Sequence, residues 1–299
     1  MARTAWIAAL VAGGVLVLLL LAAALVVAAG SGEESIETSG VLTLDPSARR
    51  LEIPLAATGN ALTVASRNGR VLVGLAVDPA ERIQVAVVRG ERAVPISDLT
   101  FTVDGRLLTP RTCGHACWEL DVRQPRELVV NAPETFRFEL PAVLPPSAAG
   151  MFAAVTRTME SLRTYRFDED LTSGVGALSR STWEVQAPDR MRFRTSDGFR
   201  AVVVGRSRWD FRGGRWQRSA YSRLDLPSYM WDGARGARIL PGSRRTLVVF
   251  DREPVPAWFK LTIDDQNHVV DAEMLAPSHF MRQRFYDFNV PLTIEPPAP

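Results

Sequence analysis

A single helical stripe followed by a long run of strands constrains this chain more than any other feature. Phe152, Val155, Met159 and Leu162 recur at spacings of three and four, so they line one face of a helix. Beyond it the pattern changes to period two. Strands are expected at 165–171, 178–186, 190–194, 201–204, 208–211, 215–218, 246–251, 257–263, 269–275 and 280–288. An irregular stretch at 221–245, with Pro227, Gly233, Gly236, Pro241 and Gly242, interrupts the series. It suits a lid or a crossing loop, with a short helix around 228–232. One helix cannot cover both faces of so many antiparallel strands. The expected solution is a strongly curved sheet wrapped around the helix, an unclosed half-barrel of α+β type.

The preceding region reads as all-β. Strands are expected at 51–53, 71–77, 83–87, 99–103, 118–122 and 136–140, separated by the turn signals Asn68-Gly69, Asp78-Pro79, Asp104-Gly105 and Gln124-Pro125. Strands of this length and spacing suggest an immunoglobulin-like β-sandwich. The fold class is therefore mainly β. The segments are a cytoplasmic stub and membrane anchor at 1–30, a polar linker at 31–40, the sandwich at 41–140, a Pro-rich linker at 141–149 and the half-barrel at 150–299.

Residues 5–29 are apolar and carry no charge, long enough to cross a bilayer as a helix. Arg3 stands before the run and Glu33 and Glu34 after it, which keeps the N-terminus in the cytoplasm and exports the remainder. A cleaved signal peptide is the rival reading, with Val27-Ala28-Ala29 as the small-residue site. The expected location is the cell membrane, single-pass, with most of the chain outside the cytoplasm.

A net charge of +2 gives no call for nucleic acid. Three histidines, two cysteines and the absence of a Gly-x-Ser-x-Gly, phosphate-loop or His-Glu-x-x-His motif argue against an enzyme, and no cofactor is expected.

The closing segment Phe285-Tyr286-Asp287-Phe288-Asn289-Val290-Pro291-Leu292-Thr293-Ile294-Glu295-Pro296-Pro297, the strand and Asp turn Ala257-Trp258-Phe259-Lys260-Leu261-Thr262-Ile263-Asp264, and the leading helix carry a resemblance. Over about 150–297 the chain resembles the bacterial lipoprotein-carrier superfamily of LolA, LolB, LppX and LprG. The resemblance implies a half-barrel whose hydrophobic cavity holds acyl chains. This chain departs from it in having a membrane helix and an added β-domain, so the implied role is sensing or local transfer, not diffusible carriage. The first domain and its order before the second are also similar to extracytoplasmic portions of actinobacterial copper-resistance membrane proteins.

The candidate cavity residues are Met159, Trp183, Met191, Phe193, Trp209, Phe211, Trp231, Phe259, Leu261 and Met274. Trp, Phe and Met offer the large, adaptable apolar area that variable acyl chains need, although plain core packing uses the same residues. Cys113 and Cys117 are expected to form a disulfide outside the cytoplasm. The alternative is a soft-metal site of Cys113, His115 and Cys117, with His279 beside Met281 and Met274 as a second copper candidate. The run Asp168-Glu169-Asp170 is expected on a solvated face, and Arg282 and Arg284 toward water. The leading functional reading is a membrane-anchored protein that binds a lipid or lipoprotein acyl chain. A metal-handling accessory protein and a ligand-free structural or interaction module are the alternatives, and no protein partner is indicated.

Overall fold

The computed structural model describes residues 51–80, 82–90, 92–172, 178–252 and 255–298. The proposed membrane span at 5–29 lies outside these residues. Among the described residues no helix is long and apolar enough to cross a membrane.

The first half opens with a helical turn, α1 (Pro54–Ala57), directly after 51–53, where the sequence suggested a strand and none forms; a 3-10 turn lies at Ile96–Asp98. Proline at the first helical position loses no hydrogen bond there, which is why the turn starts where it does. Ten strands follow: β1 (Leu62–Asn68), β2 (Val71–Val77), β3 (Arg82–Arg89), β4 (Arg92–Ala93), β5 (Thr100–Val103), β6 (Arg106–Leu108), β7 (Arg111–Gly114), β8 (Cys117–Asp121), β9 (Glu127–Asn131) and β10 (Thr135–Glu139). They form a six-stranded sheet in the order β1-β2-β3-β8-β7, with β4 on β3, and a four-stranded sheet in the order β10-β9-β5-β6. Val71, Val73, Leu75, Val77, Ile83, Val85 and Val87 of one sheet meet Phe101, Val103, Leu128, Val130, Phe136 and Phe138 of the other in one core. The two sheets thus make a sandwich, with every second residue turned inward.

Alternation alone does not account for β2, because all seven of its residues are buried. An antiparallel strand ordinarily shows one polar face. Here the second face is covered as well. Leu72 and Ala76 of β2 and Ala86 and Val88 of β3 join Leu51, Ile53 and Leu55 in a core shared with Phe250, Trp258 and Phe280 of the second half. Gly74 sits beneath Trp258, where an added Cβ would fall 2.1 Å from the indole ring. Arg67 lies over the Phe280 ring at 4.3 Å, and Arg238 donates to the carbonyl oxygens of Asn60 and Pro145. The two halves are docked through an apolar, aromatic core flanked by these two arginines.

The second half opens with α2 (Ala149–Glu160) and continues as β11 (Thr164–Thr172), β12 (Leu178–Gln186), β13 (Arg190–Thr195), β14 (Arg200–Val204), β15 (Ser207–Arg212), β16 (Arg215–Ala220), β17 (Arg235–Ile239), β18 (Thr246–Asp251), β19 (Ala257–Ile263), β20 (Val269–Ala276) and β21 (His279–Tyr286). These eleven strands form one antiparallel sheet in the order β16-β15-β14-β13-β12-β11-β21-β20-β19-β18-β17. The first strand pairs with the last, and the end strands β16 and β17 are consecutive in sequence, with residues 147–148 bridging to the outer side of β17. The sheet is therefore a meander with one gap, and residues 221–234 connect its two lips. Val155, Met159 and Leu162 of the helical stripe are buried against the concave side, with Phe152 half-buried at its margin.

The irregular stretch differs from expectation at two places. Strand β17 lies within it, paired to β18 with a bulge between Arg235 and Arg238. Gly236 there has a positive φ and approaches the backbone of Gly59, so the strand shows neither alternation nor an apolar run. Residues 228–232 make turns closed by Asp232 N to Tyr229 O and Ala234 N to Trp231 O, in place of a helix.

The C-terminal motif acts as a strap. Asn289 accepts from the Arg163 N–H and donates to the Thr164 carbonyl, and Thr164 Oγ1 donates to the Val290 carbonyl. Further along, Ile294 N donates to Gln186 Oε1 and Arg190 donates to the Ile294 carbonyl, tying the tail across β11, β12 and β13.

Candidate ligand-binding face

Strand register decides which side chains meet. In an antiparallel pair, residues directly opposite each other project from the same face. Phe167 of β11 lies opposite Trp183 of β12 and Phe285 of β21, and Trp183 lies opposite Phe193 of β13. These four rings form a ribbon across the concave side, with centroids 5.5 Å apart for Phe167–Trp183, 4.2 Å for Trp183–Phe193 and 5.2 Å for Phe167–Phe285. Met191 extends it on one side. Phe259, Leu261 and Met274 line the far wall, and Met159 of α2 closes the inside.

Eight of the ten expected cavity residues are thereby brought into one apolar cluster: Met159, Trp183, Met191, Phe193, Trp231, Phe259, Leu261 and Met274. Trp209 and Phe211 are not. Trp209 lies opposite Val202 and Phe211 opposite Arg200, in rows that continue to Arg192 and Arg194 on the outer face. The two rings do share a face, as their spacing predicts, but it is the convex one.

The segment between the sheet lips fills the middle of the concave side. Trp231 is wholly buried, stacks on Tyr229 at 5.0 Å and meets Phe285 edge-on at 5.8 Å. Tyr229 packs on Tyr165 at 5.8 Å, and its hydroxyl donates to the Met159 carbonyl. The Trp231 Nε1 donor has no hydrogen-bond partner among the described residues. Leaving a buried donor unsatisfied costs about 1–3 kcal/mol, so this plug is held by apolar contact against a polar penalty. Tyr165, Phe167, Tyr229 and Phe285 are the residues that sequence reasoning missed. The alternation of 165–171 and 280–288 contained three of them, whereas nothing in the irregular stretch marked Tyr229.

One polar group interrupts the apolar face. Asp168 and Asp170 point outward as expected, but Glu169 between them points inward and is buried, which corrects its assignment to a solvated face. Odd and even positions of a strand must part in this way. Gln283 Nε2 donates to Glu169 Oε2 at 2.7 Å. Ser181 Oγ lies 3.4 Å from Oε1 and accepts from Trp183 Nε1 at 2.7 Å. Burial pushes the Glu169 carboxyl up, and the Gln283 and Ser181 hydrogen bonds only partly oppose this. An acid whose value is raised in the folded state stabilises the fold while protonated. That contribution is complete at low pH and is lost as pH rises through the folded-state value. Glu169→Gln is therefore expected to raise the urea midpoint at about pH 8 and to leave it nearly unchanged at about pH 4. An equal shift at both values would remove titration of Glu169 from the account.

His279 is buried rather than facing water, its value lowered by burial and its Nε2 without a partner among the described residues. Cys113 and Cys117 are joined, with 1.98 Å between the sulfurs, which leaves no thiolates for the alternative metal site with His115. Arg282 and Arg284 face outward and lie beside Asp271, at 2.9 Å and 3.9 Å.

Two open grooves lie away from the plug. One, of about 540 Å³, runs beside the strap between Arg163, Pro188 and Val290. The other, of about 360 Å³, lies where the Pro-rich linker passes Asp78 and Arg238.

No protein-family model matches the chain, and no curated protein matches its sequence. The comparison with solved structures does find matches. The chain is similar in fold to LppX, LprF and a LolA-superfamily protein. The lipoprotein LppX of Mycobacterium tuberculosis is 15% identical over 49% of this chain and 97% of its own, with a TM-score of 0.37. LprF of Mycobacterium bovis is 11% identical over 52% of this chain and 100% of its own, with a TM-score of 0.36. The LolA-superfamily protein of Nitrosomonas europaea is 8% identical over 50% of this chain and 95% of its own, with a TM-score of 0.27. Each of these matches corresponds to about half of this chain. The likeness concerns the fold and carries no ligand or role across. The half-barrel itself rests on the strand order described above. None of these matches is to a copper-resistance membrane protein.

Proposed function

We propose that the concave face binds an acyl chain or a comparable aliphatic lipid segment, and that the plug around Trp231 occupies this place when no ligand is present. One observation carries the reading. The aromatic ribbon is covered at its centre by an irregular connection between the two end strands of the sheet, and the principal side chain of that connection is buried with a polar atom unsatisfied among the described residues. Each methylene buried on the ribbon contributes about 0.8 kcal/mol, so a chain of moderate length offsets withdrawal of the plug. The role is binding, not catalysis. The apolar run at 5–29 anchors the chain in the membrane, with the folded halves outside the cytoplasm and the site within reach of its own bilayer, for sensing or local transfer.

Native mass spectrometry of the full chain, released from detergent after incubation with a long-chain fatty acid, tests this. The expected result is a one-to-one adduct, accompanied by faster hydrogen exchange at 221–234. The filled concave side favours a second reading, a structural module with no ligand. Absence of an adduct, with exchange at 221–234 unchanged, would decide for that module.

A further inference from the structure

The convex face divides into two electrostatic regions. Over the central strands, acids and bases alternate along each row. Lys260 lies opposite Glu273, Glu273 opposite Arg282, Arg282 opposite Asp170 and Asp170 opposite Arg180. Such a ladder neutralises itself. The sandwich covers the same face at Phe250, Trp258 and Phe280.

At the other end, on β13–β16, the acids stop. One row reads Arg194–Arg200–Phe211–Trp216 and the next Arg192–Val202–Trp209–Arg218. Arg192 is paired with Glu184. Among the described residues Arg194, Arg200 and Arg218 have no carboxylate partner. Arg200 lies over Phe211 at 3.8 Å and beside Trp216 at 5.6 Å, and Arg218 lies 5.5 Å from the Trp209 ring. All three rings are only half-buried. A guanidinium stacked on an aromatic ring, as at Arg200, keeps its edge donors for a phosphate oxygen, whereas Arg218 also donates from Nε and Nη2 to Ser207 Oγ, which leaves Nη1.

We infer that the outer face of β13–β16 docks onto the surface of an anionic lipid bilayer, with Arg194, Arg200 and Arg218 on lipid phosphates and Trp209, Phe211 and Trp216 at headgroup depth. Charge complementarity favours an anionic occupant, since these rows contain arginine and no acid. The half-buried rings favour a bilayer over a soluble polyanion, because indole and phenyl rings settle at the membrane–water boundary. The surface is on the opposite side of the sheet from the concave site, and the inference stands whether or not that site takes lipid. It also gives Trp209 and Phe211 a use that the cavity does not.

The test uses the full chain in bilayer discs of phosphatidylcholine alone or of equal parts phosphatidylcholine and phosphatidylglycerol, read by hydrogen exchange at β15 and β16. Exchange there is expected to slow on the anionic discs only, and to recover in about 1 M salt, where screening reaches a few ångströms. Each arginine near an anionic surface is worth about fivefold in binding, so Arg194→Gln/Arg200→Gln/Arg218→Gln should lower the docked population about a hundredfold. The salt arm reads wild-type protein and does not depend on the variant folding. Equal exchange on the two disc compositions overturns the inference. So does equal slowing by a soluble polyanion in neutral discs, which would assign the face to a polymer.

Discussion

Gly74→Val is expected to separate the two halves of the molecule. Any Cβ at this position would lie 2.1 Å from Cζ2 and 2.5 Å from Cη2 of Trp258, far inside contact distance. Trp258 cannot yield easily, because Phe250 meets its ring edge-on at 5.2 Å and the rest of the shared core surrounds it. Overpacking a filled core costs about 1–3 kcal/mol, and a β-branched side chain at this spacing belongs at or above the top of that range. The readouts are the urea midpoint and the fluorescence of Trp258, which should become solvent-exposed before global unfolding. Trp258→Leu in the same chain should recover part of the loss, giving a coupling of about 1 kcal/mol or more in a double-mutant cycle. Gly150→Ala is the control. It lies in α2 with nothing within 4 Å of the new Cβ, and alanine there is expected to be neutral or to stabilise by up to about 1 kcal/mol. A Gly74→Val protein as stable as wild type would mean that the halves do not dock through Trp258.

Trp231→Ala has the second large effect, and its sign differs between stability and binding. Removing a fully buried tryptophan costs about 3–5 kcal/mol, here through lost contact with Tyr229 and Phe285. Trp231→Phe should cost much less. It loses area but also removes the unpartnered Nε1 donor, whose burial is itself worth about 1–3 kcal/mol. If the plug and an acyl chain compete for one place, the alanine variant should bind a fluorescent fatty acid more tightly than wild type even as its melting temperature falls. A variant that is both destabilised and unable to bind the probe would show Trp231 to be part of the ligand contact, and the competition picture would be abandoned.

Both predictions turn on residues whose neighbours lie far away in sequence, and this marks the limit of what periodicity conveys. The helical stripe at Phe152, Val155, Met159 and Leu162 and the strictly alternating strands are local signals, because the pitch of a helix or strand sets which side chains share a face. From them follow a mainly β chain, two successive β-rich halves and a curved sheet around one helix. That a single long amphipathic helix accompanies so many strands is itself informative, since it leaves the sheet no other way to bury its inner face. The continuous apolar run of β2 was equally visible, but its meaning was not. A strand buried on both faces looks the same whatever covers the second one.

Tertiary structure decided which face of the sheet each alternating set occupies. Parity within β15 puts Trp209 and Phe211 together, but the registers of three successive hairpins send them outward while Trp183 and Phe193 point inward. The same registers turned Glu169 into the core and left Arg194, Arg200 and Arg218 without acids opposite them. A shift of one residue in any of these pairings would exchange the two faces, and that choice is made by long-range burial instead of by neighbouring residues. Sequence alone therefore determined the elements and their amphipathic sides. Only the assembled sheet, with its lips held apart and bridged by the Trp231 segment, determined what lies inside, what is presented outside, and that the first half is fastened to the second through a shared core in which Gly74 makes room for Trp258.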